Sequence, residues 1–287
     1  YELCINASKE IINNGPYNLY MASPASPEEA EKNYAAMFED PNQALTEVIF
    51  LKGFAMPGAG KGTNIDAWAN PLQTAGGWPH PGRFCPSLEL ADMYESYSDP
   101  GKASPLVTTE DGNTGDTYDN GYESNRRYIK YDSPTDLFAD KDARLKATTI
   151  IPFSNFKNTR IIIQGGYIKP DGTLIKEQFD TLRVNGNLYS SFGGVTANSY
   201  SGFSLDGGNY TRTGFGFRKF LRSDFTPPSG GWNNGFNDWI DMRLAEVLLN
   251  YAEAVVESGA VAEYSGALEA INRIRRRAAF TDTGLYN

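Results

Sequence analysis

The sequence predicts a mainly α-helical fold with long irregular loops and a few short β-strands. One observation is an apolar stripe near the carboxyl end, where hydrophobic residues recur at helical spacing over about four turns. Another is a second amphipathic segment directly after it. The third is a middle region rich in Gly, Asn and Pro, in which β-branched runs are short. The first stripe consists of Ile240, Leu244, Val247, Leu248, Tyr251, Ala254 and Val255.

The two carboxy-terminal segments are expected to pack as antiparallel helices. Gly259 ends the first, and the second begins near Glu263. This spacing is typical of a tetratricopeptide-like helix pair. One pair cannot bury its stripe alone, so we expect a helical superhelix in which the segment from Leu3 to Ile12 is a partner. The second stripe consists of Tyr264, Ala267, Leu268, Ile271, Ile274 and Ala278.

The amino-terminal part is expected to contain two helices and a strand. Residues 1–14 place Leu3, Ala7 and Ile11 on one face of a helix that ends at Gly15. The segment from Ser26 to Glu29 offers an N-cap, a proline at the first helical position and the acid of a capping box. Residues 45–51 form a β-branched run that predicts a strand.

The middle of the chain is expected to be loop-rich. Loops as long as residues 52–86 are usually functional or disordered, and the aromatic residues of this one favour order. Short helices are predicted at 87–97 and from Ser133, short strands at 148–151 and 159–164, and further short strands joined by turns at 165–235.

The chain is expected to be part of a single domain, 1–287, with three stretches. These are a helical start with a strand (1–51), a loop-rich region with short helices and strands (52–237) and the terminal helix pair (238–279). The chain begins without Met or a leader-like segment and stops directly after a helical segment. Both ends are therefore expected to be cut from a longer protein.

Composition and charge exclude several classes of protein. The chain has 26 Lys and Arg against 35 Asp and Glu, a net charge of −9, so nucleic acid is not an expected partner. No run approaches the roughly 18 consecutive apolar residues of a membrane span. Aromatic residues make up 13% of the chain and charged residues 21%, which indicates an ordered globular protein.

The sequence offers no recognisable catalytic or metal site. His80 is the single histidine, has prolines on both sides and lacks a serine or cysteine at catalytic spacing, so we expect an ordinary loop residue. Cys4 and Cys85 match no zinc pattern, and two buried free cysteines are favoured over a disulfide. No carboxylate pair stands out for glycoside hydrolysis. We expect no catalysis, no cofactor and no metal.

Three charged or glycine-rich features have ordinary explanations. The string Gly58 to Thr63 lacks the spacing of a phosphate-binding loop. The acidic stretch does not match a calcium-binding loop, so a solvated loop is favoured over a bound ion. The basic cluster is expected to complement the dipole of the last helix. The acidic stretch contains Asp111, Asn113, Asp116 and Asp119, and the basic cluster contains Arg273, Arg275, Arg276 and Arg277.

The loop around Trp68 has the residue types of a sugar-binding site. Sugars present flat C–H faces ringed by hydroxyl groups, so a site needs an exposed aromatic ring and planar hydrogen-bonding side chains. The alternative is that the tryptophans anchor their loops to the core. The candidate glycan-binding residues are Asn64, Asp66, Trp68, Asn70, Gln73, Trp78, His80, Arg83 and Trp232.

Several segments, in this order along the chain, resemble the SusD/RagB-type surface lipoproteins of Bacteroidetes. They are ASKEIINNGPYNLY, GGWPHPGRFCPSLELADMYESY, DKDARLKATTIIPF, TGFGFRKFL, DMRLAEVLLNYAEAVVESG and ALEAINRIRRRA. The resemblance implies a SusD-like fold, of which this chain is the carboxy-terminal portion. It also implies an outer-membrane protein on the extracellular face, held by a lipid anchor outside this chain rather than by Cys4.

The resemblance further implies capture of oligosaccharides or polysaccharide fragments for a SusC-like TonB-dependent transporter. Binding residues in this family vary and lie in loops, so the resemblance assigns the region alone. Our hypothesis is a non-enzymatic glycan-binding protein whose single-site affinity is weak, because each hydrogen bond gains only about 1 kcal/mol over water. An oligopeptide-binding protein of the same architecture and a glycoside hydrolase are the alternatives.

Overall fold

The computed structural model describes residues 1–54, 61–76, 80–112, 125–163, 167–169, 171–175, 181–184, 187–190, 211–226 and 232–286. The α-helices are α1 (Glu2–Asn14), α2 (Pro27–Glu39), α3 (Ile65–Ala69), α4 (Leu88–Met93), α5 (Ala143–Thr148), α6 (Leu244–Ser258) and α7 (Tyr264–Arg277). Short 3-10 helices lie at Pro41–Ala44, Leu72–Thr74, Asp136–Phe138, Val261–Glu263 and Asp282–Gly284.

The strands are short, and those that the structure describes pair in twos. Each of the five sheets is a two-stranded antiparallel sheet: β1 with β10, β2 with β9, β3 with β4, β5 with β6 and β7 with β8. The strands are β1 (Val48–Lys52), β2 (Thr149–Ile150), β3 (Asn155–Phe156), β4 (Thr159–Arg160), β5 (Tyr167–Ile168), β6 (Leu174–Ile175), β7 (Thr181–Val184), β8 (Asn187–Ser190), β9 (Gly216–Phe217) and β10 (Trp239–Arg243).

The predicted terminal helix pair is confirmed, and α1 packs against it as a third helix. Ile5 of α1 joins the core that Leu248, Val255 and Ile274 form between α6 and α7. Gly259 ends α6 in the left-handed conformation with φ 66°, which glycine adopts without a steric penalty. Among the described residues, no helix has both the length and the hydrophobicity needed to cross a bilayer.

Two details of the expected helical stripes are wrong. Leu3 is exposed, because α1 turns Ile5 and Ser8 toward the core instead. Ile240 is not part of the carboxy-terminal helix, which begins at Leu244. Ile240 lies in β10 opposite Leu51 of β1, so pairing between distant strands determines its conformation.

The N-cap of α2 is confirmed. The backbone N–H of Glu29 donates to Ser26 Oγ at 3.2 Å, and Glu29 Oε2 accepts from the N–H of Ala25 at 2.7 Å. The second bond therefore reaches one residue further back than in the usual capping box. α2 packs against α5, a helix that the sequence analysis did not predict. Asp142 is the N-cap of α5, because its Oδ1 accepts from the N–H of Arg144.

The shorter elements follow the prediction in part. The helix expected at 87–97 is α4, and the one expected from Ser133 is a single 3-10 turn. The strands expected at 148–151 and 159–164 are two residues long in each case. β3 and β4 are joined by Lys157 and Asn158, whose φ angles of 50° and 55° fit a tight hairpin turn.

A buried ion cluster joins the amino-terminal and carboxy-terminal parts of the chain. Glu47 is 0% exposed, and its carboxylate accepts from Arg243 at 2.6 Å and from Arg277 at 2.7 Å. Burial alone would raise the pKa of Glu47, but the two arginine charges outweigh it and lower the pKa. The helix-dipole interpretation of the basic cluster is therefore incomplete, since Arg275 and Arg277 are buried ion-pair partners.

The two cysteines are free. Cys4 is exposed on α1, so the expectation that both thiols are buried is wrong for this residue. Cys85 is half-buried, and its thiol lies 3.2 Å from the carbonyl oxygen of Gly82.

Candidate functional site

The loop that carries α3 is held against the segment that begins at Trp232. The N–H of Gly62 donates to the carbonyl of Asn233 at 2.7 Å, and Thr63 and Gly235 exchange two backbone hydrogen bonds. A Cβ atom on Gly62 would lie 2.2 Å from the carbonyl oxygen of Gly235. Only glycine fits at this crossing, and the crossing brings Trp68 close to Trp232.

Asn64 completes the link between these two segments. Its side-chain amide donates to Asn233 Oδ1 at 2.8 Å, and its Oδ1 accepts from the N–H of Asn233 at 2.6 Å. Asn233 itself has a φ of 57°, a conformation that asparagine tolerates better than most residues. Asn64 therefore positions the loop, and one N–H of its amide remains for another acceptor.

The segment after Pro79 folds back onto the end of α3. The N–H groups of Arg83 and Phe84 both donate to the carbonyl of Trp68, at 2.7 and 3.2 Å. The N–H of Gly82 donates to the carbonyl of Asn70 at 2.8 Å. These bonds place the side chains of Arg83 and Phe84 beside the Trp68 ring.

Trp68, His80, Phe84 and Trp232 form one group of rings, which we call the aromatic cluster. The Trp68 centroid lies 5.4 Å from His80, 6.3 Å from Phe84 and 5.4 Å from Trp232. The first two rings are nearly parallel to Trp68, with interplanar angles of 13° and 20°. The Arg83 guanidinium lies 5.4 Å from the Trp68 centroid. The structure therefore brings together four of the predicted residues: Trp68, His80, Arg83 and Trp232.

The rings of the aromatic cluster differ in their access to solvent. Trp68 is half-buried at its centre, whereas Trp232 is 45% exposed and Phe84 is 46% exposed. A sugar face needs an open ring beside hydrogen-bonding groups. Trp232 and Phe84 offer such rings, with Trp68 as their support. The sequence analysis missed Phe84, although its position directly after Arg83 in an aromatic loop was a signal.

Two of the predicted residues lie below the surface, which corrects the expectation that they contact a ligand. Asp66 is 1% exposed and Asn70 is 0% exposed. The side-chain amide of Asn70 donates to the carbonyl of Asp66 at 2.7 Å, so it closes the end of the short helix α3. Asn70 therefore stabilises the loop from inside, whereas the carboxyl group of Asp66 is buried without a hydrogen-bond partner among the described residues.

Gln73 also holds the loop in place. Its amide nitrogen donates to the carbonyl of Arg160 at 3.1 Å, and its Oε1 accepts from the N–H of Ile162 at 2.7 Å. These bonds attach the 3-10 turn that contains Gln73 to the backbone at the end of β4 and just beyond it. Gln73 is therefore a positioning residue in this conformation rather than an available ligand contact.

Burial changes the titration of Asp66 and of Lys157, whose charges interact. It raises the pKa of Asp66 to about 6, although the charge of Lys157 lowers it. It lowers the pKa of Lys157 to about 8, although the charge of Asp66 raises it. The loop therefore contains a buried carboxyl group, that of Asp66, whose ionised form is unfavourable in the folded protein.

Some predicted features lie outside the described residues. They are Trp78, the calcium candidates Asn113, Asp116 and Asp119, and the first half of the glycine-rich string, residues 58–60. Across the part of the chain that the structure does describe, no group of three or more His, Cys, Asp or Glu side chains is arranged to hold a metal ion.

Comparison with known proteins identifies relatives by sequence and by fold. The family model described as the SusD family matches residues 46–286. A crystal structure of a SusD-like protein from Bacteroides fragilis aligns with a TM-score of 0.58 at 18% identity, covering 97% of this chain and 43% of that chain. A crystal structure of a SusD-like carbohydrate-binding protein from the same species aligns with a TM-score of 0.58 at 20% identity, covering 96% and 40%.

This chain therefore spans less than half the length of either structure. At 18% and 20% sequence identity, the similarity to these two structures establishes the fold alone. No curated protein matches the sequence.

Proposed function

The chain belongs to the SusD family, and from that premise we propose that it is a non-catalytic glycan-binding protein whose aromatic cluster contacts the sugar. The observation that carries the proposal is the pair of open rings, Trp232 and Phe84, next to Trp68, over whose ring the Arg83 guanidinium lies. A structural neighbour that is described as carbohydrate-binding supports the same class of ligand.

The chemistry at this site is recognition without bond cleavage. The C–H face of a sugar packs on Trp232 or Phe84, and its hydroxyl groups accept hydrogen bonds from Arg83 and from the remaining N–H of Asn64. Each such bond replaces one to water and gains only about 1 kcal/mol. The affinity of a single site is then weak, which suits a protein that must release its ligand intact.

We further propose the cellular role that accompanies this family. The protein captures oligosaccharides at the extracellular face of the outer membrane, where a lipid anchor outside this chain holds it, and delivers them to a SusC-like TonB-dependent transporter. Residues 1–287 supply part of one domain in this proposal. Family membership supports these roles.

A glycan panel tests the binding proposal. The protein is run in native gels that contain one polysaccharide each, and binding slows its migration. We expect Trp232→Ala and Phe84→Ala to reduce the retardation by at least severalfold. Trp239→Ala is the matched control, because Trp239 is also exposed but stacks on Phe220, outside the aromatic cluster.

Three results would contradict the proposal. Release of reducing sugars from a bound polysaccharide would show a glycoside hydrolase. Binding to peptides and to no glycan would favour the oligopeptide-binding alternative. Equal retardation of the Trp232→Ala and Trp239→Ala proteins would show that the aromatic cluster is not the site.

A further inference from the structure

An open groove of about 580 Å³ lies next to the aromatic cluster. Its lining includes Phe84 of the cluster and Arg83, whose guanidinium lies over the Trp68 ring. Its volume falls within the range of small-molecule sites. Four aromatic side chains and two cations form most of its wall: Tyr34, Phe84, Tyr94, Phe217, Arg83 and Lys219. A ligand that lies on the exposed Phe84 ring is therefore in position to enter this groove.

The charge of the groove is opposite to that of the protein. The chain carries a net charge of −9, yet the lining of the groove contains two cations and no carboxylate. Other arginines nearby have carboxylate partners: Arg218 pairs with Glu31 at 3.0 Å, and Arg243 shares the carboxylate of Glu47 with Arg277. The positive charge that faces the groove is thus a local feature of this surface.

Lys219 is the more informative of the two cations. It is half-buried, and its Nζ lies 4.4 Å from the ring centroid of Phe38 and 5.4 Å from that of Phe220. Within the part of the chain that the structure describes, its ammonium group donates no hydrogen bond and forms no ion pair. Lys219 lines this groove and also a neighbouring one, whose wall contains Phe38, Phe220 and the carboxylates of Asp241, Glu246 and Glu253. Its unpaired ammonium group is therefore accessible to a ligand in either groove.

We propose that the groove binds an acidic residue of the glycan, a sugar that carries a carboxylate or a sulfate ester. The anionic group contacts Lys219 or Arg83, and the neighbouring sugar lies on the aromatic cluster. A neutral ligand that filled the groove would remove water from Lys219 without compensating its charge, which is costly. An anion supplies that compensation, so the groove favours acidic over neutral glycans. This inference rests on the proposed function.

The test is a glycan microarray with neutral, uronate-containing and sulfated oligosaccharides, followed by titration calorimetry on the strongest ligands. We expect acidic oligosaccharides to bind more strongly than neutral ones. Comparison of the uronate-containing with the sulfated oligosaccharides shows which anionic group is preferred. We expect Lys219→Met and Arg83→Gln each to weaken acidic ligands about 10- to 100-fold. Chemical reduction of the uronate carboxyl to an alcohol should weaken binding to a similar extent.

Lys130→Met is the matched control, because it removes the same charge from an exposed lysine outside the groove. Thermal unfolding of each variant checks that it folds. If Lys219→Met does not fold, Arg83→Gln still tests the inference, because Arg83 is exposed. A preference for neutral glycans, or equal affinities for the Lys219→Met, Arg83→Gln and Lys130→Met proteins, would overturn the inference while glycan binding stands. Binding to no carbohydrate would overturn the proposed function and the inference with it.

Discussion

Asp66→Asn should stabilise the protein at neutral pH and have a smaller effect in acid. Asp66 is buried, and burial raises the pKa of its carboxyl from an ordinary 3.8 to about 6. The folded state therefore binds this proton more tightly than the unfolded chain does. The resulting stabilisation is complete below pH 3.8 and is lost as the pH rises through about 6.

The magnitude follows from the two pKa values. Each tenfold difference in proton affinity corresponds to about 1.4 kcal/mol, so ionised Asp66 costs the folded state about 3 kcal/mol at about pH 7.5. At about pH 4.5 the cost is only about 1 kcal/mol, because most of the folded protein is protonated. Asparagine has the same shape and never carries the charge. The advantage of Asp66→Asn should therefore grow by about 2 kcal/mol between these pH values.

Urea unfolding followed by tryptophan fluorescence at both pH values measures this advantage. The comparison of two proteins cancels the titration of all other groups that behave alike in both. Asp132→Asn, at an exposed aspartate, is the control and should show no such change. An advantage of Asp66→Asn that is the same at both pH values would refute the argument that Asp66 is buried with a raised pKa.

Three further substitutions test the packing of the fold. Glu47→Gln leaves the buried Arg277 and the half-buried Arg243 without their shared carboxylate and should lower the free energy of unfolding by about 3–5 kcal/mol. A loss below about 1 kcal/mol would contradict the ion cluster. Gly266→Ala would place a Cβ 2.5 Å from the hydroxyl oxygen of Tyr251, so urea unfolding should show a loss of about 1–3 kcal/mol, and unchanged stability would mean that the helices do not meet there. Ser26→Ala removes the N-cap of α2 and should cost about 1 kcal/mol, whereas an unchanged melting temperature would argue against the cap.

The sequence predicted the elements whose signals are local. The stripe of α6 and α7 repeats at helical spacing, and Gly259 and Ser26 act on their immediate neighbours. Such patterns depend on the order of residues along one segment, so they need no knowledge of the rest of the fold.

The elements that the sequence did not predict depend on distant partners. Ile240 continues the helical spacing of α6, but pairing with β1 makes it part of a strand. Arg277 fits a helix terminus equally well whether it faces water or a buried carboxylate, and only the fold places Glu47 beside it. Contacts over such separations leave no periodic trace in the sequence.

In the candidate site, too, the sequence indicated local features but not those that depend on distant contacts. Residue type singled out Trp68, His80, Arg83 and Trp232 as candidates, and the fold places them together. It could not separate side chains that face outward from side chains that support the loop, because Asp66 and Asn70 are as polar as any surface residue. Their burial follows from the way the loop closes on the segment after Trp232, which local composition does not encode.

A crystal structure with an oligosaccharide identified on the microarray tests the central claim most directly. We expect a sugar ring packed on Trp232 or Phe84, a hydrogen bond from Arg83, and an acidic group of the same glycan near Lys219. A bound oligosaccharide that lies away from Trp232 and Phe84, with both rings still exposed to water, would contradict the account.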